Sequence, residues 1–232
     1  MKKILIFSNR EQIGDGIIKL PFLNEVRSRF PNHHIIWATH SGSTVYKSSL
    51  KDIAKNYIDE IYEKVPLKSL VFRKNSKYYK LNEYFDIIID TQKAVIRSLS
   101  LRRLNARIFI SSSLNWFLSD IKPNNKEKNI DKYYLENLFS MLDLIKPVNK
   151  KTEFKVIYPN TLELEINKIY KKNFKYMGFA PGSATKERIW SLDKFIEVAN
   201  YFSKLDYIPT FFLGPDEEKY KNKIKNNVNN VF

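Results

Sequence analysis
The chain has 232 residues, 43% of them hydrophobic and 14% aromatic, and carries a formal net charge of +15. This composition excludes a disordered chain, and no apolar run approaches the roughly 20 residues that span a bilayer. Without cysteine there is neither a disulfide framework nor a thiolate site, while the positive charge favours anionic partners: nucleic acid, anionic lipid head groups or phosphorylated small molecules.

The start, MKKILIFSN, has a basic flank and an apolar stretch too short for a signal peptide, so it predicts a first strand; with the absence of cysteine, a cytoplasmic location is expected. Apolar residues then recur at Ile13, Ile17, Leu20, Leu23, Val26 and Phe30, the three- and four-residue spacing of an amphipathic helix. Pro31-Asn32 stops it, and His34 to Thr39 is a second extended segment. Further apolar runs at Glu60 to Val65, Phe85 to Asp90 and Ala106 to Ser111, separated by helix-length stretches, predict a parallel sheet covered on both faces. Residues 122–132 are polar and aperiodic, and Tyr133 to Ile145 follows as a helix. From Lys175 the alternation restarts: a strand through YMGFA, a helix from Ser191 to Leu205, a strand through YIPTFFLG and a polar helix from Asp216 to Asn226. The expected organisation is a first α/β domain over 1–150, a connector over 151–174, and a second α/β domain over 175–232 that stops short of the usual domain size.

The turn after a first strand is where α/β folds place ligands. Here Gly14-Asp15-Gly16 opens the helix, but the dinucleotide fingerprint needs a glycine where this chain has Lys19, and no P-loop motif occurs. Asp15 stands in the first helical turn. Either it accepts a proton from a substrate hydroxyl or it is an acid favoured by the helix dipole. The second candidate is the strand-to-helix corner GFAPGSATKERIW. Gly182 and Ser183 supply amides and a hydroxyl close to an expected helix start, Lys186 and Arg188 add cations, and Trp190 anchors the corner; the alternatives are a phosphate cradle and a surface turn with solvated cations. Motifs for a built-in zinc site, an acidic metal clamp or a serine nucleophile elbow are absent, so no metal and no cofactor is expected. His33, His34 and His40 fit structural roles. The stretch FRKNSKYYK, residues 72–80, combines aromatic and basic side chains, but buried rings and solvated lysines explain it as readily as nucleic acid.

Two separated segments together resemble one family. KILIFSNREQIGDGIIKLPFLNEVRSRFP is similar to the start of the ADP-heptose:lipopolysaccharide heptosyltransferases, glycosyltransferase family 9, and GFAPGSATKERIWSLDKF followed by FFLGPDEEKY is similar to the start of that family's second domain. FDIIIDTQ matches a strand of its first domain. Ser191 departs from the family, which has proline after the tryptophan, and its Asp-Ser-Gly-x-x-His segment has no counterpart before Phe232. The resemblance implies an α/β fold of GT-B type, two Rossmann-like domains with parallel sheets, the second incomplete, and an active site in the cleft between them. It implies metal-independent inverting transfer of a sugar, with Asp15 as general base and Arg188, beside Lys186, Gly182 and Ser183, stabilising the diphosphate leaving group. The partners it implies are a nucleotide-sugar donor, ADP-linked, and a lipid-linked or lipopolysaccharide-core acceptor. Peripheral contact with an anionic inner membrane face would follow, and nucleic acid is not expected. The competing reading is a non-catalytic basic α/β module, or a degenerate transferase, that binds anionic lipid or nucleic acid.

Overall fold
The computed structural model of the protein describes residues 1–67, 79–124, 133–157, 160–183 and 185–232. Residues 72–78 of the aromatic and basic stretch and 125–132 of the polar segment lie outside the described residues. The chain forms two compact units, Met1–Pro159 and Asn160–Phe232.

In the first unit, β1 (Lys3–Phe7), β2 (His34–Ala38), β3 (Glu60–Tyr62), β4 (Phe85–Asp90) and β5 (Ala106–Ser111) form one parallel sheet in the order β3-β2-β1-β4-β5. Helices α1 (Ile13–Arg29), α2 (Lys51–Ala54), α3 (Val95–Arg102) and α4 (Tyr134–Ile145) connect and cover it. Because successive strand side chains point to opposite faces, Ile4, Ile6, Ile35 and Trp37 join one core with α1 and α4, whereas Leu5, Phe7, Ile36 and Ala38 join the other with Leu101 of α3. Residues on both sides of each central strand are therefore buried, which is why these strands read as unbroken apolar runs.

The apolar stripe of α1 is buried only from Leu20 onward. Leu20, Leu23 and Val26 are at most 1% exposed, while Ile13 and Ile17 are each 50% exposed where the helix begins. Gly16 explains how close the first turns come to the rest of the unit. A Cβ there would lie 2.5 Å from Val45 Cγ2 and 2.8 Å from Leu50 Cδ1, and the Tyr46 hydroxyl donates to the Gly16 carbonyl at 2.8 Å. Gly16→Ala is expected to destabilise the unit by roughly 1–3 kcal/mol through overpacking, more than the roughly 1 kcal/mol that helix propensity returns. A denaturant melt checks this, and an unchanged or raised midpoint would show that the 45–50 segment gives way freely.

The second unit contains α5 (Asn160–Ile169), β6 (Lys175–Phe179), α6 (Leu192–Ser203), β7 (Tyr207–Phe211) and α7 (Lys221–Asn227). Strands β6 and β7 are parallel, with Lys175 opposite Tyr207. Phe232 continues the ladder on the far side of β7, donating to the Pro209 carbonyl at 2.8 Å and accepting from Phe211 at 3.0 Å. The core is Phe179, Ile196, Ala199, Ile224 and Val228. Residues 160–169, read from sequence as connector, are helical, and where a last helix from Asp216 to Asn226 is expected the chain forms a 3-10 turn at Glu218–Tyr220 and then α-helix over Lys221–Asn227. Among the described residues no helix is long and apolar enough to cross a membrane.

Candidate functional site
The order of the first sheet turns back between β1 and β4, so the loops leaving their carboxyl ends diverge and open a crevice there. Phe7 pairs with Ala38 on one side and Asp90 on the other. Beyond them, Thr91 donates to the Phe7 carbonyl through its amide (3.0 Å) and its hydroxyl (2.9 Å), and Gln92 Nε2 donates to Ser8 Oγ at 3.3 Å. Asn9 Oδ1 accepts from the Ser41 amide at 2.8 Å and from Thr39 Oγ1 at 3.1 Å. Polar loop atoms thus bind the ends of three strands into one rim.

Three loops at the carboxyl ends of this sheet carry left-handed backbone at residues with side chains: Arg10 (φ 58°) after β1, Lys64 (φ 55°) after β3, and Leu114, Asn115 and Trp116 (φ 50°, 52°, 65°) after β5. Each costs on the order of 1–2 kcal/mol, and such strain gathers at functional sites when packing holds it in place. Trp116, 3% exposed within the core, does that for the loop after β5.

Asp15 sits on the same rim, exposed, in the first turn of α1. Its Oδ2 accepts the Gln12 amide at 3.1 Å, which fixes the carboxylate at the positive end of the helix. Both roles read from sequence, dipole-favoured acid and proton acceptor, are compatible with this geometry, to which the structure adds the cap.

Behind Asp15 lie charged groups that hydrophobic periodicity did not reveal. Lys19 and Glu11 form an ion pair at 3.5 Å with side chains only 4% and 1% exposed. Burial pushes the Lys19 ammonium below its ordinary pKa, against Glu11 and Asp15, which favour its charged form. Burial likewise raises the Tyr46 phenol, and it raises Tyr134 to about 12 although Thr91 hydrogen-bonds to it. Asp90, fully buried at the end of β4, is pushed up to about 6 by desolvation. Its carboxylate accepts from Ser98 Oγ (2.5 Å), Ser111 Oγ (2.9 Å) and the Gln92 amide (3.0 Å). The available signals were a charged Lys19 next to the apolar stripe of α1 and an aspartate closing the apolar run FDIIID. Next to this rim an apolar pocket of about 370 Å³ opens between His40 and the first turns of α3. His40 Nδ1 donates to the Val65 carbonyl at 2.7 Å, and His34 Nε2 lies 3.2 Å from Glu60. No group of three His, Asp or Glu side chains that would hold a metal ion occurs among the described residues.

The second candidate lies at the carboxyl end of β6, in the other unit. Gly182, Ser183 and Arg188 are exposed on one loop, while the Lys186 side chain lies outside the described residues. The loop does not run straight into a helix. A 3-10 turn at Lys186–Arg188 intervenes, and α6 starts only after Ser191, so the amides of Gly182 and Ser183 are not those of the α6 amino terminus. Trp190 is 47% exposed and packs edge-on against Phe195 at 5.1 Å, a partial anchor. A Cβ at Gly182 would lie 2.7 Å from the carboxyl carbon of Glu217, the far end of a flexible side chain that can turn aside. Glu217 Oε2 accepts the Gly214 amide at 3.1 Å, a bond within the loop after β7. Sequence reading missed this carboxylate, whose signal was the Gly-Pro turn ending the β7 run.

Neither a protein-family model nor a curated protein matches the sequence. Solved structures share the fold. The glycosyl transferase family 9 protein from Veillonella parvula DSM 2008 superposes with a TM-score of 0.63 at 20% identity, covering 99% of this chain and 68% of that one. E. coli ADP-heptose lps heptosyltransferase II gives 0.61 at 11% identity, with 99% and 69% covered. E. coli heptosyltransferase WaaC with ADP gives 0.60 at 15% identity, with 99% and 73% covered. The α/β fold of GT-B type expected from the sequence is thus the fold of this chain.

Proposed function
We propose that the protein is a glycosyltransferase of the heptosyltransferase type. It moves a sugar, a heptose from an ADP-linked donor, onto a lipopolysaccharide-type acceptor without a metal ion and with inversion at the anomeric carbon. The observation that carries this reading is a fold shared over 99% of the chain with glycosyl transferases, among them two heptosyltransferases whose descriptions specify ADP-heptose or ADP.

Asp15, exposed on the rim and held through one oxygen, takes the proton of the acceptor hydroxyl as that oxygen attacks the anomeric carbon. The acceptor oxygen–carbon bond forms on the face opposite the breaking bond between carbon and diphosphate oxygen, and the electron pair leaves with the diphosphate. Amides of Gly182 and Ser183, the Ser183 hydroxyl and the cations Lys186 and Arg188 meet that developing charge, the task a metal ion performs elsewhere. The net charge of +15 and the half-exposed Ile13, Ile17 and Ile18 support peripheral contact with an anionic cytoplasmic membrane face.

Calorimetric titration of the 232-residue chain with ADP, UDP and GDP at two salt concentrations tests the donor assignment. Saturable binding of ADP, weakened at least about tenfold in Arg188→Ala, is expected from the loss of a hydrogen bond to a charged group. Equal binding of all three nucleotides with a steep salt dependence would replace the transferase reading by that of a basic anion-binding module.

A further inference from the structure
The inner side of a helix is an expensive place for an ammonium group, yet α1 buries Lys19 to 3% exposure. Its partner Glu11, 3.5 Å away, is equally enclosed. Desolvating such a pair generally costs more than the Coulomb attraction returns, so a leucine or methionine at this position would serve stability better. Glu11 has one more contact: its Oε2 accepts from Thr44 Oγ1 at 2.9 Å. The Tyr134 ring centroid is 5.7 Å from Lys19 Nζ and closes the other side.

These contacts close a ring around Asp15. The ion pair links Lys19 to Glu11, the peptide bond links Glu11 to Gln12, the Gln12 amide donates to Asp15 Oδ2 at 3.1 Å, and one helical turn leads from Asp15 back to Lys19. We infer that Glu11 and Lys19 are positioning residues: their buried ion pair holds the loop Ser8–Gln12 against α1 and so fixes the orientation of the Asp15 carboxylate. The purpose of the device rests on the reading of Asp15 as the general base. The device itself is a property of this loop and helix.

The Gln12 amide reports directly on it. Backbone ¹⁵N resonances and amide exchange are measured for the whole chain, for Asp15→Ala, which removes the cap, and for Glu11→Gln/Lys19→Met, which removes the pair without stranding a buried charge. In the double variant the thermal midpoint is expected to stay at or above that of the parent. Its Gln12 amide is expected to take the resonance position seen in Asp15→Ala and to exchange about tenfold faster, the loss of roughly one capping hydrogen bond. A double variant whose Gln12 resonance and exchange match the parent overturns the inference. Should it fail to fold, Glu11→Gln/Lys19→Gln, which likewise strands no charge, carries the same readout, with the displaced amide in support and the parental one against. The transfer assay of Asp15→Asn is separate: if that variant transfers normally, the base reading falls while the Gln12 result stands on its own.

Discussion

Asp15→Asn is expected to reduce sugar transfer by roughly 10²–10⁴-fold, the contribution of a positioned general base, while leaving ADP affinity and the melting temperature close to those of the parent. The substitution isolates proton acceptance. An asparagine amide oxygen still accepts the Gln12 amide that Asp15 Oδ2 now accepts at 3.1 Å, so the start of α1 stays capped, and the nucleotide site we propose is the β6 loop of the other unit. What disappears is a basic oxygen on the rim of the first sheet. The measurement is single-turnover transfer from ADP-heptose to a lipopolysaccharide-core acceptor, alongside calorimetry with ADP. Full transfer by the variant would reduce Asp15 to a helix cap, and a loss of ADP binding would move it from the acceptor to the donor.

The second large effect is on stability. Asp90 is fully buried, and desolvation raises its folded pKa from 3.8 to about 6 even though two serine hydroxyls and the Gln92 amide hydrogen-bond to it. Between these two values the folded chain holds a proton that the unfolded chain has released. Stability from this group is therefore fully present below about pH 4 and falls as pH rises through 6, by roughly 3 kcal/mol in total. Glu25, Glu60 and Glu63 act in the opposite sense, because hydrogen bonds and cations hold their pKa values below normal despite burial and their contribution is lost as the medium turns acid. The difference between the parent and Asp90→Asn isolates the Asp90 contribution. Denaturant melts from pH 4 to pH 7 are expected to show the parent losing ground to the variant across that window. Parallel curves would mean that the serine and amide donors compensate desolvation completely.

How much was legible in the sequence follows from how each feature is encoded. The strands of the first sheet were readable because parallel strands buried on both faces must be apolar throughout, as Leu5 and Ile6 are on opposite sides of β1. The position of Asp15 was readable because a short-range rule, an acid in the first turn after a strand and a glycine, places it beyond the carboxyl ends of the strands. The corner at Gly182 was only half readable. Composition identified exposed backbone and cations, but the local chain turns once more through Lys186–Arg188 before α6 begins, and the Glu217 carboxylate, 35 positions further on, comes up beside the glycine.

Determined by the sequence alone were the parallel α/β class, the helical stripe from Ile13 to Phe30, of which the structure buries only the part from Leu20 onward, and the basic, cysteine-free character that favours anionic ligands. These depend on neighbours along the chain, on periodicity and on composition, and such signals survive without a structure. The tertiary structure alone decided which charges are buried together. Glu11 meets Lys19 only because a loop folds back on the helix it precedes, and Asp90 meets Ser98 and Ser111 only because β4, α3 and β5 converge at one edge. A charged residue looks the same in sequence whether it is solvated or enclosed. Its energy, and with it the pKa and the rigidity of the rim, is set by groups brought from elsewhere in the fold.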